Sequence, residues 1–589
     1  MDLPRQIKKH KCTKYLPHLL AFFYFVAATI YITFPLIFHM TNMLFEKVDD
    51  AYISWIINWD IHSFTTNALN IFNGNIYYPY HNTLAYSDNY LTSAAVAFFP
   101  VKIVGEPAFA YNFCLIFSFI TLGFCVYLLA LYISKSHLSS IAAGTIAAFS
   151  PYALTKVMHL QLLGICWVPL SILFFLVFLD KKLFRYFMIA VFFFILQMYN
   201  SFLPGYFILI SCLIILICYF LTKKITFKQL NMSKIILTGI FTFLIIIPIV
   251  IPYFQVSKQF NYVRDIRDAI RFANRPEYTL YPGFTTRLRD FLLAVFYKND
   301  KHPITYDGFM GLVFFILSAA AIIYRIINKK KKWFLFDSFL VIGIFSYILS
   351  LGPALQWGDH VIKHPFIIPL PYALFYYLAP GFNGFRDSSR WEMLFLMSFS
   401  ISISIFLAVF LKNKNRLLKL FFVMLICFGV LWEFNLPYAY HQVPTKENFP
   451  KIYYFIKNLP QQAVIAEFPI YNWSTYPLLN SENFREYYGT LSFRKTINGA
   501  SGFSPPPWQI KINYLVNNFP KNNSLQLLKN VGVNYIIIHA WEYDQLHNAR
   551  YTAENNFVSS GAVIKSELDN NSQVQFVYST DKDYVYKIK

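Results

Sequence analysis

From Tyr15 to Phe434 the chain is a succession of apolar runs separated by short basic stretches and by longer mixed loops. In hydrocarbon a backbone must satisfy its own hydrogen bonds, so an apolar run of sufficient length can only be a membrane-crossing helix. Runs near 15–40, 109–134, 138–151, 162–179, 186–203, 205–221, 235–254, 308–327, 333–351, 391–411 and 417–434 predict about eleven such helices. A Pro-rich apolar stretch at 366–380 reads as re-entrant or interfacial. Composition agrees. Of 589 residues, 56% are hydrophobic and only 14% are charged, too few charges to coat several soluble domains. Disorder, a collagen-like chain and a disulfide scaffold are excluded on the same ground.

The net charge of +21 would suggest nucleic acid in a soluble protein. Here the basic residues sit in short runs between apolar ones: Lys8 to Lys11, Lys181–Lys182, Lys223–Lys224, Lys329–Lys332 and Lys412–Arg416. That is the pattern of cytoplasmic loops under the positive-inside rule, and no nucleic-acid partner is expected. With the N-terminus inside, the basic runs fall on the cytoplasmic face. The loops at 41–108, 255–307 and 352–390 then fall outside, as does the C-terminal segment after an odd number of spans. The first run has no small-residue cleavage site after it (Phe38-His39-Met40-Thr41) and reads as an uncleaved signal anchor. The expectation is a multi-pass plasma-membrane protein. Its cysteines lie almost all in apolar segments, without metal-ligand spacing, and read as buried apolar side chains.

Residues 437–589 differ in kind. Strand-like runs occur at Ala463–Phe468, Tyr535–His539 and Val574–Tyr578, the last pairing with Tyr584–Ile588. Helical stretches lie near Pro450–Asn458 and Ser524–Asn530. The predicted architecture is an all-α polytopic membrane domain, 1–436, followed by an extracytoplasmic α/β domain, 437–589. Asn-X-Ser matches at Asn231, Asn472, Asn522 and Asn570 are uninformative about function.

The loop 41–108 carries the most chemistry. Glu46-Lys47-Val48-Asp49-Asp50 precedes an amphipathic stretch from Ala51 to Phe64. Ile53, Ile56, Ile57, Ile61 and Phe64 form one stripe, flanked by Tyr52, Trp55 and Trp59. Such a helix is expected to lie in the membrane interface. One carboxylate, Asp49 or Asp50, would cap it, but two adjacent carboxylates at a membrane surface also suit a reactive site. Both readings stand at this point. Glu46 reads as a solvated charge.

The segment Val48-Asp49-Asp50-Ala51-Tyr52-Ile53-Ser54-Trp55-Ile56-Ile57-Asn58-Trp59 resembles the first external loop of GT-C superfamily glycosyltransferases. These are multi-span enzymes that use polyprenyl-phosphate-linked sugars. The spacing of Asp49, Trp55 and Trp59 is similar to that of a bacterial and archaeal branch. Asn75-Ile76-Tyr77-Tyr78-Pro79, Asn82 to Ser87, His159-Leu160-Gln161-Leu162 and Leu351-Gly352-Pro353 resemble it too. So do Pro380-Gly381-Phe382 with Phe385-Arg386 and Ser389-Arg390, and further on Glu467-Phe468-Pro469, Asn498-Gly499 and Gly532-Val533. Many members carry another residue after the first Asp, so Asp50 leaves open which carboxylate acts.

The resemblance implies sugar transfer from a polyprenyl-phosphate or diphosphate donor to a glycan, lipid or protein acceptor on the outer face. A carboxylate, Asp49 or Asp50, would take the acceptor's proton. The phosphate leaving group needs cationic stabilisation. Two stretches offer it. Arg264, Arg267 and Arg271 share a helical face at spacings of three and four, beside Asp265 and Asp268. Arg386 and Arg390 stand just before a span. The plain alternatives are a self-neutralised surface helix and an interface anchor. His159 is either structural or a phosphate ligand, and Trp55 and Trp59 are candidates for substrate contact. Asp88 or Asp60 could join Asp49 around a divalent cation such as Mg or Mn, though neither completes a ligand set. A lipid-linked sugar flippase, or a non-catalytic envelope protein on the same fold, are the competing readings.

Overall fold

A computed structural model describes residues 3–46, 48–283, 286–296, 308–328, 333–358, 360–363, 366–434, 440–471, 478, 480–548, 552–553, 556–557 and 559–589. The basic run Lys329–Lys332 and the Asn472 match lie outside the described residues.

Every apolar run of the sequence is helical, from Leu3–Ile32 to Arg416–Glu433. Among the described residues, six helices are long and apolar enough to cross a membrane: Tyr15–Ile32, Pro107–Ser134, Leu160–Lys181, Phe202–Leu221, Met232–Phe260 and Ser388–Phe410. The other runs form shorter or more charged helices, such as Phe184–Met198, Leu312–Ile327 and Phe334–Ser350. The chain is thus a multi-pass membrane protein. Met232–Phe260 turns Ile236, Leu237, Ile240, Phe241, Phe243 and Leu244 outward, a surface that only hydrocarbon tolerates.

The chain divides into two compact units. The first comprises 1–38, 114–248 and 262–438. Its helices approach closely because small residues face one another, the arrangement favoured where lipid offers no hydrophobic drive. A Cβ on Gly144 would lie 2.4 Å from the Gly123 carbonyl oxygen, and one on Gly343 would lie 2.5 Å from the Phe399 ring. Phe334–Ser350 packs on Glu392–Phe410, which also packs on His137–Phe149. Two buried serines of Glu392–Phe410 turn back on their own helix, Ser400 Oγ donating to the Leu396 carbonyl at 2.7 Å and Ser402 Oγ to the Ser398 carbonyl at 3.3 Å.

The second unit comprises 39–113, 249–261 and 439–589. The sequence placed 41–108 with the spans and began a separate domain at 437. The structure folds the first external loop together with the C-terminal segment. Strand β1 (Met43–Leu44) pairs antiparallel with β2 (His441–Gln442). The main sheet holds β3 (Val464–Phe468), β4 (Lys495–Thr496), β5 (Tyr535–His539), β6 (Val574–Ser579) and β7 (Asp583–Ile588) in the order β6-β7-β5-β3-β4. β3 runs parallel to β4 and β5, while β7 is antiparallel to β5 and β6. The strand-like runs seen in the sequence are these strands. β3 and β5 are buried on both faces, which explains their unbroken apolar character. Ile452, Tyr453, Ile456, Ile465, Ile537 and Val585 form a core on one side. Helix Asn522–Val531 ends at Gly532, whose φ of +98° permits the reversal into β5.

Helix α1 (Asp49–Thr66) lies in this unit and packs on α2 (Leu91–Val104) and α3 (Asn480–Gly489). Its residues from Asp50 to Asn58 are all buried, as are Asp60, Ile61 and Ser63. The expected interfacial helix is therefore a core helix. The apolar stripe found one buried face, and α3, distant in sequence, covers another.

Candidate functional site

The aspartates belong to the second unit. Val48 stands at the N-cap of α1 and makes no side-chain cap, so both aspartates lie in the first turn, where negative charge is favoured. The cap comes from Glu46, whose Oε2 accepts the N–H groups of Val48 at 2.6 Å and Asp49 at 2.8 Å. Asp50 answers with Oδ2, which accepts the Glu46 N–H at 2.9 Å. Glu46 is therefore a half-buried capping group, not a solvated charge. Asn112 holds the preceding chain by donating to the carbonyls of Met40 at 2.9 Å and Met43 at 2.7 Å. Asn483 of α3 donates to the Val48 carbonyl at 3.0 Å.

This turn separates the two carboxylates. Asp49 is exposed, while Asp50 is fully buried and its Oδ1 lacks a hydrogen-bond partner among the described residues. Burial raises the Asp50 pKa well above the carboxylate range, and the charges of Glu46 and Asp49 add to the rise. Hydrogen bonds from Tyr111 and the Glu46 backbone oppose it. A fully buried acid favours its neutral form. Tyr111 and Asn483 were not singled out by sequence reading, and Glu46 was read there only as a solvated charge. Tyr111 sits inside an apolar run and has no local mark of this role.

Trp55 is fully buried, donates Nε1–H to Asn75 at 3.0 Å, and stacks between Tyr52 and Trp59. Trp59 is half-buried and donates to the Ile71 carbonyl at 2.8 Å. Asp60 follows Asp49 on the same helix by about 16 Å at 1.5 Å per residue, so the two cannot share an ion. Asp60 is fully buried with neither oxygen hydrogen-bonded among the described residues, and burial raises its pKa well above the usual value. Asp88 is half-buried, with Tyr52 and Tyr253 in its electrostatic reach. Among the described residues no three His, Cys, Asp or Glu side chains gather as a metal site.

The cationic candidates belong to the first unit. The helix expected to carry Arg264, Arg267 and Arg271 on one face spans only Ile266–Arg271, so Arg264 precedes it. Arg267 is exposed and paired with Asp265 at 2.5 Å, which makes it the self-neutralised surface charge of the plain alternative. Arg264 donates its backbone N–H to the Asn383 carbonyl at 3.2 Å. The guanidinium of Arg386 lies over the Phe272 ring at 4.9 Å, with that of Arg271 at 5.7 Å from the same ring. Partial burial lowers the Arg386 pKa, and the like charges of Arg264 and Arg390 lower it further. Arg390 reaches Asp387 at 3.4 Å, with both side chains mostly covered. Asp387 also accepts the Ser389 hydroxyl at 2.7 Å. Burial works against its charge, but Arg390, Lys156 and the Ser389 bond hold its pKa below the usual value.

Gly352 explains how these segments meet. Its φ is +78°, and a Cβ there would lie 2.7 Å from the Ala273 Cβ and 3.2 Å from the Ser388 Oγ. Ser388 in turn donates to the Ala269 carbonyl at 2.9 Å. The motif around Gly352 is thus the seat on which the 266–275 and 386–390 segments close.

The remaining motifs form one contact set in the second unit. Tyr77 and Tyr78 donate their N–H groups to the carbonyls of Asn498 and Thr496, both at 2.9 Å. Asn498 Oδ1 accepts the Glu467 N–H at 2.9 Å, and a Cβ on Gly499 would lie 2.8 Å from the Tyr77 ring. These motifs specify a fold.

No protein-family model and no curated protein sequence matches the chain. Among solved structures the chain is similar to the arabinofuranosyltransferase AftD from Mycobacteria, with a TM-score of 0.50 and 10% identity. That match covers 98% of this chain and 40% of the AftD chain, so this chain spans well under half the length of its structural relative. A second match is the archaeal oligosaccharyltransferase AglB from Archaeoglobus fulgidus, solved with an inhibitory peptide and a dolichol-phosphate. Its TM-score is 0.36 at 13% identity, covering 98% of this chain and 74% of that one. The likeness to AftD is one of fold.

Proposed function

We propose that this chain is an inverting membrane glycosyltransferase. It moves a sugar from a polyprenyl-phosphate or diphosphate donor to a cell-envelope acceptor on the outer face. The observation that carries this reading is the divided aspartate pair. Asp49 is exposed on a turn that Glu46, Asp50 and Asn112 hold fixed. A general base needs both access to the acceptor hydroxyl and a fixed position, and Asp49 has both.

In this reading Asp49 takes the hydroxyl proton as the acceptor oxygen forms its bond to the anomeric carbon. The bond from that carbon to the phosphate oxygen breaks, its electron pair staying on phosphate. Asp50 positions the turn in its neutral form. In the first unit, Arg264, Arg271, Arg386 and Arg390 form a positive cluster of the kind that a phosphate group needs. Trp55 and Trp59 brace α1 rather than grip sugar. The likeness of fold to AftD supports the reaction class but not a particular sugar.

Reconstitution in liposomes separates transfer from flipping. With a radiolabelled polyprenyl-phosphate sugar and extracted envelope acceptors, the expected outcome is label leaving the lipid fraction. Label that crosses the bilayer while staying on its lipid would instead support the flippase reading.

A further inference from the structure

Lys156, His159, Asp387 and Arg390 meet in the first unit, just before the helices that begin at Leu160 and Glu392. The backbone around His159 is fixed: its N–H donates to the Lys156 carbonyl at 2.9 Å, and its carbonyl accepts from Leu162 at 2.7 Å. Tyr152 ties the two segments together, donating to the Ser389 carbonyl at 3.1 Å while the Lys156 ammonium lies 4.5 Å over its ring. Within this cage the Nδ1 atom of His159 is buried and has no well-aligned hydrogen-bond partner among the described residues.

A buried ring nitrogen without a partner is costly to leave unsatisfied and invites a ligand. The charges around it say which kind. Lys156 and Arg390 face the imidazole, with Asp387 as the carboxylate among them. Arg386 adds a further positive charge that acts on Arg390, and Arg264, Asp387 and Asp268 act on it in turn. The balance is positive, and Asp387 is already engaged by Ser389 and Arg390. Burial, Arg390 and Lys156 hold the imidazole far below its usual pKa, against the opposing pull of Asp387 and the Met158 carbonyl. The ring is therefore neutral as it stands. An arriving phosphate would change both terms at once, supplying an acceptor and cancelling the repulsion.

We propose that His159 is a proton-coupled phosphate ligand: a phosphate monoester held by Lys156, Arg386 and Arg390 brings a proton onto His159, which then donates from Nδ1 to a phosphate oxygen. The proton comes from solvent, and no covalent bond changes. A monoester dianion gains more from such a site than a diester monoanion. Where the glycosyltransferase reading holds, the site grips the spent carrier phosphate more tightly than the intact donor. The proposal rests on that reading only for the identity of the carrier.

Calorimetry of the full chain in detergent tests it, with farnesyl phosphate as probe at pH 8. The second phosphate pKa is about 6, so the free ligand is then already a dianion. Titrations in two buffers of different ionisation enthalpy give the protons taken up. The expected result is an uptake approaching one proton per phosphate in the wild type. His159→Gln should bind roughly tenfold more weakly with no uptake. His159→Asn is the second variant should the first fail to fold, and the wild-type count is decisive alone. No binding, no uptake in the wild type, or unchanged uptake in the variants would each overturn the proposal. Inorganic phosphate as a second probe separates sources: equal affinity marks a free-anion site, and much weaker binding marks a lipid head group. Either keeps the proton linkage. Sugar transfer assayed on the same samples keeps the two ideas distinct. Transfer without proton uptake overturns this inference alone, and proton uptake without transfer overturns the enzymatic reading alone.

Discussion

Asp49 and Asp50 are adjacent in sequence but have opposite environments. The pair itself was legible, since two neighbouring carboxylates at the start of an amphipathic stretch stand out. Which one is exposed was not. That depends on Tyr111, in an apolar run with no other mark, and on Asn483, which arrives from the far end of the chain. Asp60 makes a sharper test of burial. Its raised pKa means that the folded state holds a proton the unfolded chain would release. The sign follows from linkage. Asp60 costs least below its unfolded pKa, and stability is lost as pH rises from there through the raised folded value. Asp60→Asn removes this loss. The variant should melt higher than wild type at pH 8, by roughly 1–3 kcal/mol, with the gap narrowing toward pH 4. Differential scanning fluorimetry across that range measures it, and a pH-independent difference would count against a buried, protonated Asp60.

At the scale of elements, the strands were the most legible part. β3 and β5 are short apolar runs rich in Ile and Val, bounded by turns, and their burial on both faces requires that pattern. α1 was misread because periodicity reports one buried stripe and cannot report a second neighbour. What joins the strands is polar. His539 of β5 sits between Glu467 of β3 at 3.1 Å and Asp583 of β7 at 2.9 Å. Burial opposes its charge, but the hydrogen bonds of Asp583 and Glu467 win and push its pKa up to about 9. The sign is again set by linkage. This group stabilises fully below the unfolded value near 6.5, and the contribution is lost as pH rises through about 9. His539→Gln should lower the melting temperature of the full chain at pH 6 and converge on wild type near pH 10. An equal loss at both values would mean that packing, not charge, is the cause.

For the whole molecule, the distribution of charge carried the fold class. Lys and Arg runs between apolar stretches point to a bilayer, and the helices follow those stretches one for one. The division into units was hidden, because β1 and β2 are two-residue strands paired across most of the chain. A pairing so short and so distant leaves no periodic trace. The sidedness expected from the basic runs has its own check. In a cysteine-free background, Lys529→Cys should react with a membrane-impermeant maleimide in intact cells, and Lys412→Cys should react only after lysis. The reverse pattern would invert the proposed topology.

The central claim is that an exposed Asp49, set in place by a buried Asp50, is the base for sugar transfer. Single-turnover transfer from a polyprenyl-phosphate sugar, compared between Asp49→Asn and Asp50→Asn, tests it most directly. The account predicts a loss of roughly 100-fold or more for Asp49→Asn, with melting unchanged. Asp50→Asn, whose amide oxygen can still accept from Glu46, should keep most of the rate. Full activity in Asp49→Asn, or the larger loss in Asp50→Asn, would contradict it.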